Sequence, residues 1–217
     1  MSSTKRGRGG APARLTEAGM RRALRELSAR DPDLARILSE HGPPQWWERE
    51  EGFATLVFII LEQMVSLASA RAAYERLVAA VAPSPLTPES FLALDGDALR
   101  RAGFSRQKAD YCRRLAVEVS EGRLDIPALA RMSDEGVRAE LTKIKGVGPW
   151  TADIYLLRAL LRPDAWPAGD LALQIAAQEA KRLPARPTAA QLEALGQQWR
   201  PWRAVAARLL WNLYLNR

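Results

Sequence analysis

Between Leu141 and Asp170 the chain reads LTKIKGVGPWTADIYLLRALLRPDAWPAGD, and the residues best placed to do chemistry are concentrated there. Lys143 and Lys145 flank a Gly146-Val147-Gly148 turn that leads into a helix opening at Pro149. Two glycines let a backbone turn sharply and approach a ligand closely, while the first turn of the next helix offers free N–H groups and the positive end of a dipole. That combination suits a phosphate, but it also serves a plain turn between two helices, where glycine is common. Asp170 follows a glycine and precedes an apolar helical run, so it reads as an N-cap. An anion held there can also stabilise positive charge that develops on a substrate. Two rival carboxylates have plainer readings. Asp153 is a first-turn acid favoured by a helix dipole, and Glu62 is a residue of an apolar helix that needs an internal partner.

Scarcity narrows the chemistry further. Cys112 is the one cysteine and His41 the one histidine of 217 residues. That excludes a disulfide framework, a thiolate zinc site and a four-cysteine iron–sulfur cluster, and it leaves a histidine-based triad or metal site only one histidine to use. Catalysis then rests on carboxylate or lysine. The net charge of +7 favours a polyanionic partner, without separating nucleic acid from an acidic membrane surface. The apolar run from Phe53 to Leu61 is too short to span a bilayer, and Met1 to Arg14 has no hydrophobic signal core, so a cytoplasmic protein is expected.

The elements that must position these groups read as helices throughout. Residues 1–14 form a basic, glycine-rich tail expected to be disordered, and residues 15–217 a single domain. Thr16 caps a helix through Ala29, and Asp31-Pro32 opens another that ends near Gly42. Residues 52–66, apolar on every side, make the buried central helix, followed by one over 68–81 that Pro83 stops. Short helices open at Thr87-Pro88 and Asp95, Ser105 caps a longer one through Val119, and two more begin at Asp125 and near Ser133. The hairpin occupies about 134–162, a helix runs from Leu171 to Leu183, Thr188 begins another, and the last spans Trp202 to Asn216. No alternating strand pattern appears, so the fold class is all-α. Arg106, Lys108, Arg113 and Arg114 read as a solvated basic stripe.

The stretch LTKIKGVGPWTA resembles the helix–hairpin–helix of the DNA glycosylase superfamily, in which a Gly/Pro-rich loop and an Asp follow the second helix. Here that tail is Trp166-Pro167-Ala168-Gly169-Asp170. Three other stretches are similar to the 3-methyladenine glycosylase II (AlkA-type) branch: ILEQMVSLASARAAYERL at 60–77, LRRAGFSRQKADYCRRLA at 99–116 and WRPWRAVAARLLW at 199–211. The resemblance runs in order over roughly residues 45–217. It implies a fold of two closely packed helical lobes with the site in the cleft.

The same resemblance assigns roles. Asp170 becomes the catalytic carboxylate that stabilises the sugar cation. Trp150 stands where lyase-type members carry a lysine nucleophile, which implies a monofunctional hydrolase; its electron-rich ring also suits a cationic alkylated base. Trp211 becomes a second base-binding aromatic, while Trp199 and Trp202 are structural. Gln63, Met64 and Ser66 match a turn whose apolar residue wedges into the duplex as a base leaves the stack, although Met64 equally fits a core position at a helix end. Lys143, Lys145, Gly146 and Gly148 become contacts to the DNA backbone. The carbonyls of Thr142, Ile144 and Val147 match a structural Na⁺ or K⁺ site, and no other cofactor is implied.

Two departures stand out. The residues before 45 leave no room for the N-terminal domain of larger relatives, whose pocket-lining residues then have no counterpart, with Trp46 or Trp47 as candidate substitutes. Ile154 stands where an aromatic is common. The expectation is a monomeric DNA glycosylase of base excision repair that flips and hydrolytically excises alkylated purines such as 3-methyladenine from double-stranded DNA. The alternatives are a glycosylase for an oxidised or deaminated base, and a non-enzymatic helix–hairpin–helix module that only binds DNA.

Overall fold

The computed structural model describes residues 12–217, and every regular element among them is helical. Residues 1–11, most of the expected tail, lie outside the described residues. The last residue of that tail is held in place: Arg14 bonds Glu48 and Glu51 at 3.1 and 2.9 Å, and the Leu15 N–H donates to the Leu161 carbonyl at 2.6 Å.

Two groups of helices share one continuous apolar core. The first group is built on α3 (Phe53–Glu62), which packs against α4 (Leu67–Val81), α7 (Arg106–Ser120) and α10 (Pro149–Arg158). Around it lie α5 (Pro88–Leu92), α6 (Gly96–Arg101), α8 (Ile126–Leu129) and α9 (Asp134–Leu141), the last packed on α10. The second group is built on α13 (Arg203–Leu215), which packs against α1 (Glu17–Arg30), α2 (Pro32–His41) and α11 (Leu171–Ala180), with α12 (Ala189–Gly196) on α11. The two ends of the described chain therefore meet in one lobe, while the middle builds the other. Capping residues set most of the helix starts: Thr16, Asp31, Ser105, Ser133 and Thr188 each accept a hydrogen bond from the first turn they precede.

Several boundaries differ from the sequence reading. Helix α3 stops at Glu62 instead of running to residue 66, and Met64 adopts a left-handed backbone with φ 58°. Helix α11 stops at Ala180, short of Leu183, and a 3₁₀ turn at Gln197–Trp199 precedes α13. The basic stripe on α7 is not simply solvated. Lys108 Nζ donates to the Leu61 carbonyl at 2.7 Å and Arg113 to the Leu94 carbonyl at 2.6 Å, so both tie α7 to neighbouring elements.

Buried charge follows the same logic of satisfied partners. Glu62 is paired with Arg158 through both carboxylate oxygens at 2.8 and 2.7 Å, as an acid in an apolar helix requires. Asp31 caps α2 and also accepts from Lys181 and from the indole of Trp199, linking α2, α11 and the turn before α13. Arg208 is fully buried and has carbonyl acceptors instead of a carboxylate: Trp46, Ala204 and Leu157. Burial, with Arg158 nearby, pulls its pKa down to about 9, still above neutrality, so the group remains a cation that pins the 46–47 segment to α13.

Candidate active site

Asp170 stands at the start of α11, with φ −75° and ψ 122° as an N-cap demands. Its Oδ1 accepts the Leu173 amide at 2.8 Å and the Trp211 indole N–H at 3.0 Å. Its Oδ2 accepts the Trp150 indole N–H at 2.8 Å. These donors come from α11, α13 and α10, so the carboxylate sits at the seam between the two lobes and its plane is fixed from three directions. A carboxylate oriented by three donors cannot rotate away when positive charge forms beside it, and such preorganisation is the usual source of electrostatic catalysis. The loop before it is anchored through Trp166. Trp166 is buried edge-on to Trp199 at 5.3 Å, and its indole donates to the Leu192 carbonyl.

The tryptophans named from the resemblance thus converge on the acid. Trp211 is buried and Trp150 half-buried. Trp47, which the sequence reading could only offer as a stand-in, packs edge-to-face on Trp211 at 5.6 Å with a left-handed φ of 45°. The segment that carries it is fastened by Arg208, and by Asn212, which donates to the carbonyls of His41 and Gly42. Ile154 is buried in the core.

The rival acids are accounted for otherwise. Asp153 lies beyond the first turn of α10 and pairs with Arg138 of α9 at 2.7 Å, tying the hairpin's two helices together. Burial raises its pKa and Arg138 only partly offsets this. Glu62 is occupied by Arg158.

The hairpin turn runs from Thr142 to Gly148. Gly146 has φ 97°, and a β-carbon there would run into the ring of Tyr111 on α7. Only glycine fits, because the backbone is left-handed and an aromatic face is laid directly on it. Gly148 differs: φ is −90° and a β-carbon would meet nothing within 4 Å. The space in front of it is open to a ligand. Among the described residues the N–H groups of Lys145, Gly146, Gly148, Trp150 and Thr151 have no acceptor, so a row of donors is left free at the positive end of α10. Lys145 is exposed, and Lys143 is exposed with one contact to Glu140 at 2.7 Å.

Met64 is 98% exposed, which rules out the core position the sequence also allowed. Val65 and Leu67 beside it are exposed as well, and Ser66 caps α4. Gln63, expected among the DNA contacts, also has partners within the protein. Its side-chain amide points inward and donates to the Gly146 carbonyl and to Thr151 Oγ1, both at 3.0 Å. Tyr111 and Gln63 are the two residues at the hairpin whose work the sequence did not reveal. Each acts across α-helical elements distant in the chain, where periodicity carries no signal.

The family described as HhH-GPD superfamily base excision DNA repair protein matches residues 57–201. The protein YfjP of Bacillus subtilis is 30% identical over 185 residues, a span that takes in 82% of this chain and 64% of that relative, less than two thirds of its length. The structure of the Schizosaccharomyces pombe 3-methyladenine DNA glycosylase in complex with abasic DNA superposes with a TM-score of 0.79 at 29% identity, covering 88% of this chain and 95% of that one. A DNA-3-methyladenine glycosidase from Bacillus halodurans gives a TM-score of 0.74 at 31% identity, covering 88% of both chains.

Proposed function

The chain belongs to the HhH-GPD superfamily of base excision DNA repair proteins, and on that premise we propose that it is a monofunctional DNA glycosylase that excises alkylated purines such as 3-methyladenine. The observation that carries the reading is Asp170, fixed by Trp150, Trp211 and the Leu173 amide at the seam of the lobes. The two relatives of known structure named above are both called 3-methyladenine glycosylases or glycosidases, which supports the choice of an alkylated base.

The reaction assigns each part a step. The free N–H row at Gly146, Gly148 and the start of α10 holds a backbone phosphate, with Lys143 and Lys145 adding salt-sensitive attraction. The flipped nucleotide leaves a gap in the stack that Met64 fills, offsetting part of the few kcal/mol that unstacking costs. Electron-rich indole rings beside Asp170 attract a cationic alkylated base by roughly 0.5–2 kcal/mol. The bond from C1′ to the base then breaks and its electron pair leaves with the base, so the sugar becomes positive next to Asp170. Water adds to C1′ and loses a proton, leaving an abasic site. An alkylated base is already a good leaving group, so no separate acid is required. No lysine stands at position 150, and Trp150 cannot form a Schiff base with the sugar.

The carbonyls of Thr142 and Val147 receive no N–H among the described residues, and that of Ile144 accepts one from Val147 at 2.9 Å while keeping a second lone pair. Three neutral oxygens of this kind fit Na⁺ or K⁺, which would place fixed positive charge near the bound phosphate. No step of the reaction runs through it.

Duplexes carrying single defined lesions test the reading. Base release is expected from 3-methyladenine duplexes, with no borohydride-trapped adduct on abasic DNA. Release from oxidised or deaminated bases alone would contradict the substrate assignment, and a trapped adduct would contradict the hydrolytic one.

A further inference from the structure

We infer that Gln63 is a positioning residue that holds the wedge turn in register with the hairpin, an assignment that rests on the function proposed above. The end of α3 is tied down on three sides immediately before the exposed Met64. Lys108 Nζ of α7 holds the Leu61 carbonyl at 2.7 Å, Arg158 of α10 holds Glu62, and Gln63 bonds the hairpin itself. Both bonds of the Gln63 amide are to groups fixed elsewhere: the carbonyl of Gly146, a residue with no room for a β-carbon against the Tyr111 ring, and Thr151 Oγ1 in the first turn of α10. An amide nitrogen has two N–H donors, and both are used, leaving only the carbonyl oxygen free for a DNA group. Met64 follows directly, with φ 58° and 98% exposure.

The consequence is a single rigid part with two working ends. The row of free N–H groups that would hold phosphate begins at Lys145 and Gly146, and the residue that would enter the stack is one peptide from the amide bonded to Gly146. Gripping the backbone thereby fixes where the wedge meets the duplex. A side chain that must slide between base pairs loses its effect when displaced by about 1 Å, as reacting groups do. Gln63 thus couples two functions that lie 83 residues apart in the chain.

The role separates from a purely structural one by comparing paired and unpaired DNA. Single-stranded alkylated DNA presents its bases without unstacking, so it needs no wedge. Gln63→Leu is expected to lower methylpurine release from an alkylated duplex by roughly tenfold or more relative to release from the same strand unpaired, the scale of two lost hydrogen bonds. Thr151→Val, which removes one acceptor at constant shape, should show the same selectivity to a smaller degree, and it carries the test if Gln63→Leu fails to fold. Combining Gln63→Leu with Met64→Ala should add little to Met64→Ala alone, because register matters only while the wedge is present. Equal losses on paired and unpaired DNA, or additive losses in the double variant, would overturn the inference. An unchanged duplex rate for Met64→Ala would overturn the wedge itself, and with it any coupling to it, while leaving Asp170 untouched.

Discussion

At the scale of single residues, the carboxylate of Asp170 is the point on which the other assignments turn, and its partners explain why tryptophan and no other aromatic stands at 150 and 211. A phenylalanine would offer a ring to a base but no N–H to the acid. Both indoles use theirs on Asp170, at 2.8 and 3.0 Å. Trp150→Phe and Trp211→Phe therefore should each keep an aromatic surface and lose one hydrogen bond to a charged acceptor, worth about 1.5–3 kcal/mol. Steady-state base release should fall between about tenfold and a hundredfold for each, and because the bond already exists in the folded protein the melting temperature should fall by several degrees as well. A variant with full activity would show that ring stacking alone is the tryptophan's task. Asp170 and both tryptophans were legible in the sequence through the family pattern. The bonds between them were not, because residues 150, 170 and 211 meet only through the packing of three helices.

At the scale of the element, the hairpin holds two glycines with different duties. Gly146 has a left-handed backbone pressed beneath Tyr111, whereas Gly148 is in an ordinary extended conformation with open space before it. Gly146→Ala should destabilise the protein by about 1–3 kcal/mol from backbone strain, with the clash against Tyr111 adding to it. Gly148→Ala should leave stability within about 0.5 kcal/mol of wild type, as an uncrowded surface change does. It should instead weaken DNA binding, because its methyl group occupies the approach of the phosphate. Denaturant melts and salt-controlled binding titrations separate the two effects, and a reversed pattern would contradict the division of labour. The sequence showed both glycines but could not tell them apart, since Tyr111 lies 35 positions upstream. Helix starts were legible because capping residues announce them. The end of α3 was not: Gln63 to Ser66 contains no glycine or proline, and a left-handed methionine has no sequence signature.

At the scale of the whole molecule, the described residues before the central helix are part of the body. Helices α1 and α2 pack on α13 and α11, and Asp31 fastens them there through Lys181 and Trp199. Burial opposes the charge on Asp31, but the hydrogen bonds from Lys181 and Trp199 outweigh it and hold the pKa below its ordinary value. A depressed folded pKa means the stabilisation is fully present above the unfolded carboxylate range and is lost as pH falls through the folded value. Asp31→Asn should thus lower the melting temperature at pH 7 and flatten its decline below about pH 4, as read from melts across that range. This closing of the second lobe keeps α11 and α13 at a fixed distance from α10, so that Asp170, Trp211 and Trp150 can meet. On the proposed function, the net charge of +7 should give a salt-dependent grip on DNA that is independent of the acid. The most direct test of the whole arrangement is methylpurine release from alkylated duplex DNA by wild type and Asp170→Asn, with DNA affinity measured at the same salt concentration. Wild type should release the base, and Asp170→Asn should bind DNA at least as tightly while releasing it about a hundred- to a thousandfold more slowly. Equal release by the two proteins would show that Asp170 is a helix cap and nothing more.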